Sequence, residues 1–507
     1  MIRKITGRRL TCAAKQLQQA DGSIAENAPS IANCLASTFA QNSSTNHYTR
    51  VFQRHKDLIE SRSLSFSSSN TEPYNSPFTM LEFQLALKKC NNTAVGPDNI
   101  HYSFLKNMSI ETQLLAVEIF NKLWIDWVFP ESWHLATIIP IAKPGRDPMF
   151  PGNYRPIALT SCLCKTMERM VNDRLIYILE TLQVLSPSQS GFRQNRSTLD
   201  HLVSLETYIR DAFVSGDHVV SVFFDLEKAY DTTWKHGIIK DLHDIGLRGR
   251  LPLFIQNFLS DRIFKVRVGS VLSDAYPQEM GVPQGSILSP TLFIIKMNSI
   301  DKIINRTIHR TLFVDDFTIS LRGRSTATVQ RQLQLCLGRL ERWCSVNGFK
   351  FSPTKTVMVH FCIQRRIHDE PILRLNGQII PSASEAKFLG IWFDRKLNFK
   401  YHIDYLRAKC EKAMCLLRVV SNFNWGADKT VLLRLYRSSV RSVLDYGCVV
   451  YGGARPSYLK KTGCDTKPGS EDMPRSVSDL SDNLHSYRDQ RAPHAPPKTS
   501  FIPQFYY

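Results

Sequence analysis

The sequence predicts an α+β fold in which an antiparallel sheet packs on helices, and two kinds of apolar pattern support this prediction. Three short runs of apolar and β-branched residues indicate buried strands, at Val219 to Phe224, Thr311 to Val314 and Phe317 to Leu321. Only Asp315-Asp316 separates the last two, which predicts a hairpin with two acids at its tip. Helical periodicity marks the segments on either side of these strands.

Two helices are predicted from apolar residues at helical spacing. The first ends before Pro130 and is interpreted as a packing helix; its apolar residues are Leu114, Leu115, Ile119, Phe120, Leu123, Trp124 and Trp127. The second ends at Asn347-Gly348, a typical helix C-terminus, and its apolar face consists of Val329, Leu333, Cys336, Leu340 and Trp343. A further strand is predicted at Val357 to Phe361.

The composition favours a polyanionic partner. The 507 residues include 64 Lys and Arg against 45 Asp and Glu, a formal net charge of +19 that attracts nucleic acid. Basic chains can also be merely soluble, so charge alone leaves both interpretations open. The 12 cysteines show no paired Cys-x-x-Cys spacing, which argues against a zinc module of that type and against a disulfide framework and favours a reducing, intracellular setting.

The two ends of the chain differ in composition from the middle. Residues 1–78 end in a stretch rich in Ser and Pro and are interpreted as a linker or N-terminal extension. Residues 461–507 carry no net charge and few large aliphatic side chains, which predicts a disordered tail. Neither a membrane span nor a secretory signal is predicted, because no apolar run reaches the length of about 18 residues that a span needs and none follows Met1-Ile2-Arg3-Lys4.

Three acids at strand ends are the candidates for catalysis. Asp225 follows one predicted strand, and Asp315 and Asp316 lie at the tip of the predicted hairpin. Adjacent aspartates within an apolar hairpin repel each other unless a cation neutralises them. Phosphoryl transfer onto a primer 3′-hydroxyl uses two metal ions roughly 3.5 to 4 Å apart, which three carboxylates can hold. An isolated Asp-Asp is more often a simple turn, so the assignment depends on the surrounding motifs.

Seven motifs occur in an order that resembles the reverse transcriptases of non-LTR (LINE-type) retrotransposons, in particular the jockey-like group, over residues 79–460. They are Gly96-Pro97-Asp98-Asn99-Ile100, Asn153-Tyr154-Arg155-Pro156-Ile157, Gln189-Ser190-Gly191-Phe192-Arg193, Phe224-Asp225-Leu226-Glu227-Lys228-Ala229-Tyr230-Asp231, Gly281-Val282-Pro283-Gln284-Gly285-Ser286, Phe313-Val314-Asp315-Asp316 and Phe388-Leu389-Gly390. This resemblance implies a right-hand polymerase with fingers (79–218), palm (219–395, with interleaved fingers elements) and thumb (396–460). It also implies RNA-directed DNA synthesis from an RNA template, a DNA primer and deoxynucleoside triphosphates.

The resemblance also implies the roles of individual residues. Asp225, Asp315 and Asp316 are expected to bind two Mg²⁺ ions, with Mn²⁺ as an alternative and the backbone carbonyl of Leu226 as a further ligand. Asp231 is interpreted as structural. The residues expected to contact the incoming nucleotide are Lys143, Arg155, Tyr230, Gln284, Gly285 and Lys355; those of the primer grip are Phe388, Leu389 and Gly390. Tyr230 is expected to exclude a ribose 2′-hydroxyl, and Lys355 to protonate the pyrophosphate.

Other features differ from complete elements of this group. No endonuclease precedes the polymerase motifs and no RNase H acid constellation follows them, so the chain is interpreted as a fragment. The chain is expected to be intracellular, in the nucleus, the cytoplasm or both, as part of a ribonucleoprotein. A catalytically inactive retroelement remnant that only binds nucleic acid is the alternative function, and an RNA-templated RNA polymerase is disfavoured by Tyr230 and by Val314 before the paired acids.

Overall fold

The computed structural model describes residues 16–19, 21–364, 369–421 and 425–459. The predicted disorder of residues 461–507 therefore lies outside the described residues. The chain divides into two compact units between Leu389 and Gly390. No helix within the described ranges has both the length and the apolar character that crossing a bilayer requires.

The first unit contains thirteen α-helices among its described residues. They are α1 (Ala28–Asn42), α2 (Arg50–Glu60), α3 (Met80–Lys88), α4 (Tyr102–Lys106), α5 (Ile110–Ile125), α6 (Glu131–His134), α7 (Cys162–Thr181), α8 (Thr198–Val214), α9 (Lys235–Asp244), α10 (Arg250–Leu259), α11 (Ser289–Met297), α12 (Ser299–Lys302) and α13 (Thr326–Asn347). The predicted end of α13 is confirmed, because Gly348 adopts a left-handed conformation with φ of 76°.

The strands of the first unit form several sheets. They are β1 (Leu17–Gln18), β2 (Ile24–Ala25), β3 (Leu135–Ala142), β4 (Tyr154–Leu159), β5 (His218–Phe224), β6 (Ile263–Val268), β7 (Val271–Leu272), β8 (Tyr276–Pro277), β9 (His309–Phe313), β10 (Asp316–Gly323), β11 (Val357–Phe361), β12 (Arg374–Leu375), β13 (Gln378–Ile379) and β14 (Glu385–Phe388). The four strands predicted from the sequence are confirmed as β5, β9, β10 and β11.

A four-stranded antiparallel sheet with the order β11-β5-β10-β9 forms the centre of this unit. Every residue of β5 is buried. One face of the sheet, which includes Val220 and Val222, packs in a core cluster with Leu333 and Leu340 of α13. The predicted apolar face of α13 therefore covers the sheet, and the α+β class is confirmed.

The segment interpreted as a linker differs from that prediction. Helix α1 is capped by Asn27, whose side chain accepts a hydrogen bond from the Ser30 amide at 2.8 Å. The buried face of α1 packs in one cluster with residues of β3 and β6, which are parallel neighbours in the second, five-stranded sheet. Among the described residues of this segment, only 61–79, the Ser-rich connection after α2, resemble a linker, and even there Phe66 is buried. Residues 1–15 lie outside the described residues.

Helix α5 buries only part of the apolar set predicted for it, namely Phe120 and Trp124, with Leu123 half-buried. Ala116, Val117, Phe120 and Trp124 lie in the core, whereas Leu114, Leu115 and Ile119 are exposed; Trp127 follows the end of the helix. The helix is apolar on more than one side, so the sequence pattern could not define the buried side.

The second unit is mainly helical. Its elements are β15 (Ile391–Asp394), α14 (Lys400–Val420), α15 (Lys429–Tyr436), a π-helical turn (Arg437–Arg441), α16 (Ser442–Asp445), α17 (Cys448–Tyr451) and α18 (Pro456–Leu459). Cys410 and Leu417 of α14 pack against Tyr436 and Val440. The chain after β15 is thus helical over most of its described residues, and the π-helical turn separates α15 from α16.

Candidate active site

Strand register brings the three acids together. In the β5–β10 pair, Phe224 lies opposite Phe317, and extending that antiparallel register by one residue sets Asp225 opposite Asp316. Directly opposed residues in such a pair have Cα atoms about 4.5 to 5.5 Å apart. Because Phe313 is the partner of Asp316 across the β9–β10 hairpin, Val314 and Asp315 form a two-residue turn at the same sheet end.

The hairpin turn has an unusual backbone. Val314, the first of the two turn residues, has φ of 63°, a conformation that two-residue hairpins normally give to Gly or Asn. For a β-branched residue this region is strained, at a cost on the order of 1–3 kcal/mol. The surrounding structure must therefore hold the turn in place.

The side chain of Gln189 supplies that support. Its Oε1 accepts hydrogen bonds from the Val314 amide at 3.1 Å and from the Gly191 amide at 2.7 Å, and the residue is fully buried. The backbone beside it also pairs with β9, since the Ser190 amide donates to the Leu312 carbonyl at 3.0 Å. Gly191 packs so closely that a Cβ there would lie 2.4 Å from Val314 Cγ2. The Gln-Ser-Gly motif thus fixes the turn that carries Asp315.

The carboxylates interact electrostatically. Burial raises the pKa of Asp316 to about 6, and the charges of Asp315 and Asp225 add to the rise. Burial and the charge of Asp225 also raise the pKa of Asp315. Lys355 Nζ lies 3.1 Å from Asp225 Oδ2, so an ammonium group already compensates part of the negative charge. An all-oxygen donor set whose negative charges repel one another fits Mg²⁺ or Mn²⁺.

The β3–β4 hairpin carries two cations near the site, Arg155 and Lys143. Arg155 on β4 pairs with Ile141 on β3, and its charge partly opposes the rise in the Asp315 pKa. Lys143 follows β3, and its Nζ donates to the Gly152 carbonyl at 2.9 Å. Burial and the charges of Lys355 and Arg155 lower the pKa of Lys143, so these three cations lie within electrostatic reach of one another.

Tyr230 lies close enough to Asp315 to feel its charge. It is half-buried and its ring stacks on Phe293, with centroids 4.6 Å apart and an interplanar angle of 11°. Burial and the charge of Asp315 raise the pKa of the Tyr230 phenol. The ring is therefore held in one orientation close to the carboxylates.

Gln284 and Gly285 form a loop that packs on β4. The Ala158 amide donates to the Gln284 carbonyl at 2.7 Å, and a Cβ on Gly285, whose φ is 129°, would lie 2.4 Å from the Ala158 carbonyl oxygen. Gln284 Nε2 donates to Asp231 Oδ1 at 2.8 Å. Burial raises the pKa of Asp231 to about 6, and the Gln284 hydrogen bond partly opposes this. This contact fits the structural interpretation of Asp231.

The remaining predicted site residues are mostly buried in the fold. Leu226 is buried and forms an isolated antiparallel bridge with Phe351. Phe388 is buried and its ring packs on Phe223, with centroids 5.8 Å apart. Leu389 and Gly390 have φ of 43° and 90°. The Phe388 side chain therefore supports the sheet, and within this motif the backbone is the part with an unusual conformation.

Sequence reasoning missed three supporting residues. Gln189 was recognised within a motif but given no role. Thr356 Oγ1 accepts a hydrogen bond from the Asp225 amide at 3.4 Å, and the Ser352 amide donates to the Asp225 carbonyl at 2.8 Å. These contacts join positions more than a hundred residues apart, so only the fold could reveal them.

Comparisons with known proteins agree with this geometry. Residues 141–393 match the family described as "Reverse transcriptase (RNA-dependent DNA polymerase)". The chain is 29% identical over 461 residues to the probable RNA-directed DNA polymerase from transposon BS of Drosophila melanogaster, covering 86% of this chain and 48% of the relative. It is 29% identical over 388 residues to the RNA-directed DNA polymerase from mobile element jockey of the same species, covering 75% and 41%.

A more distant relative is the Pol polyprotein from retrotransposable element R1 of Bradysia coprophila, 26% identical over 377 residues and covering 73% of this chain and 37% of the relative. The chain belongs to the reverse transcriptase family. Within that family it is a jockey-like reverse transcriptase of the non-LTR retrotransposon type, as its motifs predict. The chain spans about half the length of the curated relatives that it matches first.

Proposed function

We propose that this chain is an RNA-directed DNA polymerase that adds deoxynucleotides to a primer 3′-hydroxyl on an RNA template. The observation that carries the proposal is the placement of Asp225, Asp315 and Asp316 at one end of two paired strands and their hairpin. The raised pKa values of Asp315 and Asp316, and the Lys355 ammonium beside Asp225, indicate a site that binds cations. In this proposal the central sheet belongs to the palm, the β3–β4 hairpin to the fingers and the second unit to the thumb.

Each neighbouring residue has a defined part in the proposed reaction. The three carboxylates, with the Leu226 carbonyl, would hold two Mg²⁺ or Mn²⁺ ions, which supply activation of the 3′-hydroxyl and charge stabilisation of the pyrophosphate. Arg155 and Lys143 hold the triphosphate, Arg155 through its planar fork and Lys143 as a point charge. Once Asp225 binds a cation, Lys355 is available to donate a proton to the pyrophosphate.

Two further groups contact the nucleic acid in this proposal. The Gln284-Gly285 loop positions the template base and the incoming nucleotide, because a glycine there allows close approach of the backbone. The Phe388-Leu389-Gly390 backbone grips the primer. Helix α14 exposes several cations that would contact the phosphates of the duplex; these are Arg407, Lys409, Lys412 and Arg418.

The test is primer extension by the purified full chain. With Mg²⁺ and deoxynucleotides, we expect it to extend a DNA primer annealed to an RNA template. A chain that binds the RNA–DNA duplex but extends no primer with either Mg²⁺ or Mn²⁺ would instead be the inactive, nucleic-acid-binding remnant. Binding is measured on the same duplex by fluorescence anisotropy, so the two functions are separated in one preparation.

Substitution of Tyr230 is expected to admit ribonucleotides. Tyr230→Ala removes the ring that stacks on Phe293 and leaves space where a 2′-hydroxyl would collide. Steric overlap of this kind costs about 1–3 kcal/mol, so selectivity for deoxynucleotides should fall roughly 10-fold to 100-fold. The measurement is the ratio of kcat/KM values for the two nucleotide types. Tyr230→Phe keeps the ring and should keep the selectivity; equal selectivity in both variants would contradict the role.

Substitution of Arg155 is expected to weaken nucleotide binding selectively. Hydrogen bonds to charged groups contribute about 1.5–3 kcal/mol, so Arg155→Ala should raise the apparent KM for the nucleotide roughly 10-fold to 100-fold. The affinity for the RNA–DNA duplex should change little. Arg146→Ala is the matched control, since Arg146 is an exposed cation in the same hairpin. Weakened duplex binding with an unchanged KM would refute the assignment.

A further inference from the structure

A second cluster of metal-binding side chains lies at the opposite end of β5 from the acids. His360 lies opposite Val220 in the β5–β11 pair, and extending the register by two residues sets Cys362 opposite His218. His360 and Cys362 are two positions apart on one strand, so all three side chains lie on the same face of the sheet. Asp225 is seven residues from His218 along the strand, about 23 Å away, so the two groups cannot share an ion.

The donor atoms of these three residues converge. His218 Nδ1 faces His360 Nε2, and one ring nitrogen of each histidine and Cys362 Sγ all lie within 4.8 Å of one another. The two ring nitrogens are 3.0 Å apart. In a tetrahedral zinc site with bonds of about 2.0 to 2.3 Å, ligand atoms lie roughly 3.3 to 3.7 Å apart, so small shifts would accommodate an ion.

The surroundings resemble those of a transition-metal site. The three residues are 4%, 0% and 6% exposed, so their donors are shielded from bulk water. His360 Nδ1 lies 3.1 Å from Glu370 Oε2, the carboxylate–histidine contact that commonly orients a metal-binding imidazole. That contact places a proton on Nδ1 and turns the Nε2 lone pair towards His218 and Cys362. The Gln364 amide donates to Cys362 Sγ at 3.3 Å, as expected beside a thiolate.

The donor types select the metal. Mg²⁺ and Mn²⁺ prefer oxygen ligands, whereas two imidazoles and a thiolate suit Zn²⁺. We propose that His218, His360 and Cys362 bind one Zn²⁺ that joins the ends of β5 and β11. Three protein ligands leave one position for water, as in other three-ligand zinc sites. The ion would hold the start of β5 against the end of β11, whereas Asp225 follows the other end of β5. The ion takes no part in the polymerase chemistry.

Metal content of the full chain tests the proposal directly. The chain is purified without an affinity tag, dialysed against a weak chelator and analysed by mass spectrometry for zinc. We expect about one zinc per chain. Cys362→Ser should lose it, whereas Cys415→Ser, which removes an exposed thiol in the other unit, should retain it. Glu370→Gln should bind zinc roughly 10-fold more weakly, because a partner that orients a ligand is altered.

Cobalt gives a second readout that does not require a folded variant. Co²⁺ replacing zinc in the unaltered chain should show the strong visible bands of tetrahedral coordination and a thiolate charge-transfer band in the near ultraviolet. An unaltered chain that retains no zinc and gives only the weak spectrum of hydrated Co²⁺ would overturn the proposal. In that case a hydrogen bond between His218 Nδ1 and His360 Nε2, with His360 Nδ1–H donating to Glu370, accounts for the cluster.

Discussion

Asp316→Asn is expected to abolish primer extension and, at the same time, to stabilise the metal-free chain at neutral pH. The substitution keeps the shape of the side chain but removes one charged ligand. Loss of several kcal/mol of transition-state stabilisation should lower the extension rate roughly 10³-fold or more. Duplex binding should survive, because most of it comes from cations elsewhere on the chain. Extension at the unaltered rate would show that Asp316 is not a ligand.

The raised pKa of Asp316 explains why Asp316→Asn should stabilise the metal-free chain. Folding lifts this pKa from its usual value of 3.8 to about 6, so the folded chain binds the proton more tightly than the unfolded chain does. Ionised Asp316 therefore destabilises the fold, progressively between about pH 4 and pH 6 and fully above that range. Although protein atoms crowd the Asp316 carboxyl and raise its pKa, the residue is still open to solvent, which screens its charge. The gain from Asn should therefore be only on the order of 1 kcal/mol.

Unfolding by urea in the presence of a chelator measures this effect. The two chains should differ in stability above about pH 6 and converge below about pH 4. Asp301→Asn is the matched control with the opposite sign. Although burial alone raises its pKa, the hydrogen bond and charge of Arg310 lower it, so removing this charge should destabilise the fold at neutral pH. An Asp316→Asn chain less stable than the unaltered one at pH 7 would contradict the electrostatic account.

The sequence alone was sufficient for the parts of the fold that depend on local patterns. Strand β5 is a continuous apolar run, α13 has one apolar face and a terminal glycine, and acids that interrupt an apolar hairpin stand out because they are costly to bury. Helix α1 has such a pattern as well, at Ile31, Leu35 and Phe39, but the Ser-rich connection that follows α2 suggested that the whole segment is a linker. Its partners β3 and β6 begin 93 and 221 residues after the helix ends at Asn42.

What sequence reasoning could not supply was strand register. Register decides that Asp225 lies opposite Asp316 and that Cys362 lies opposite His218. A slip of one residue would move either side chain to the other face of the sheet. Apolar strands of similar length permit several registers, so the sequence does not define which residues lie opposite each other. The three acids could still be grouped because each lies in a recognisable motif, whereas His218, His360 and Cys362 lie in none.

The role of Gln189 is a second consequence of long-range geometry and leads to the other large expected effect. Gln189→Ala removes the acceptor shared by the amides of Val314 and Gly191. A buried donor without a partner costs about 1–3 kcal/mol, and the turn at Val314 is already strained. We expect the turn to relax and Asp315 to shift, and a misplacement of about 1 Å can lower a rate by roughly 10²-fold. The loss should appear in kcat, with the KM for nucleotide nearly unchanged.

A suppressor separates positioning from general loss of packing. Glycine adopts positive φ without strain, so Val314→Gly should let the hairpin keep its shape without the hydrogen bond from Val314 to Gln189. The double variant should therefore recover much of the kcat that Gln189→Ala loses, although its core has lost more atoms. Gln256→Ala, at an exposed position on α10, is the control and should leave kcat unchanged. Two independent losses of packing would not compensate each other, so their effects on kcat would add. If the double variant shows such added losses of kcat, Gln189 supports the fold but does not position Asp315.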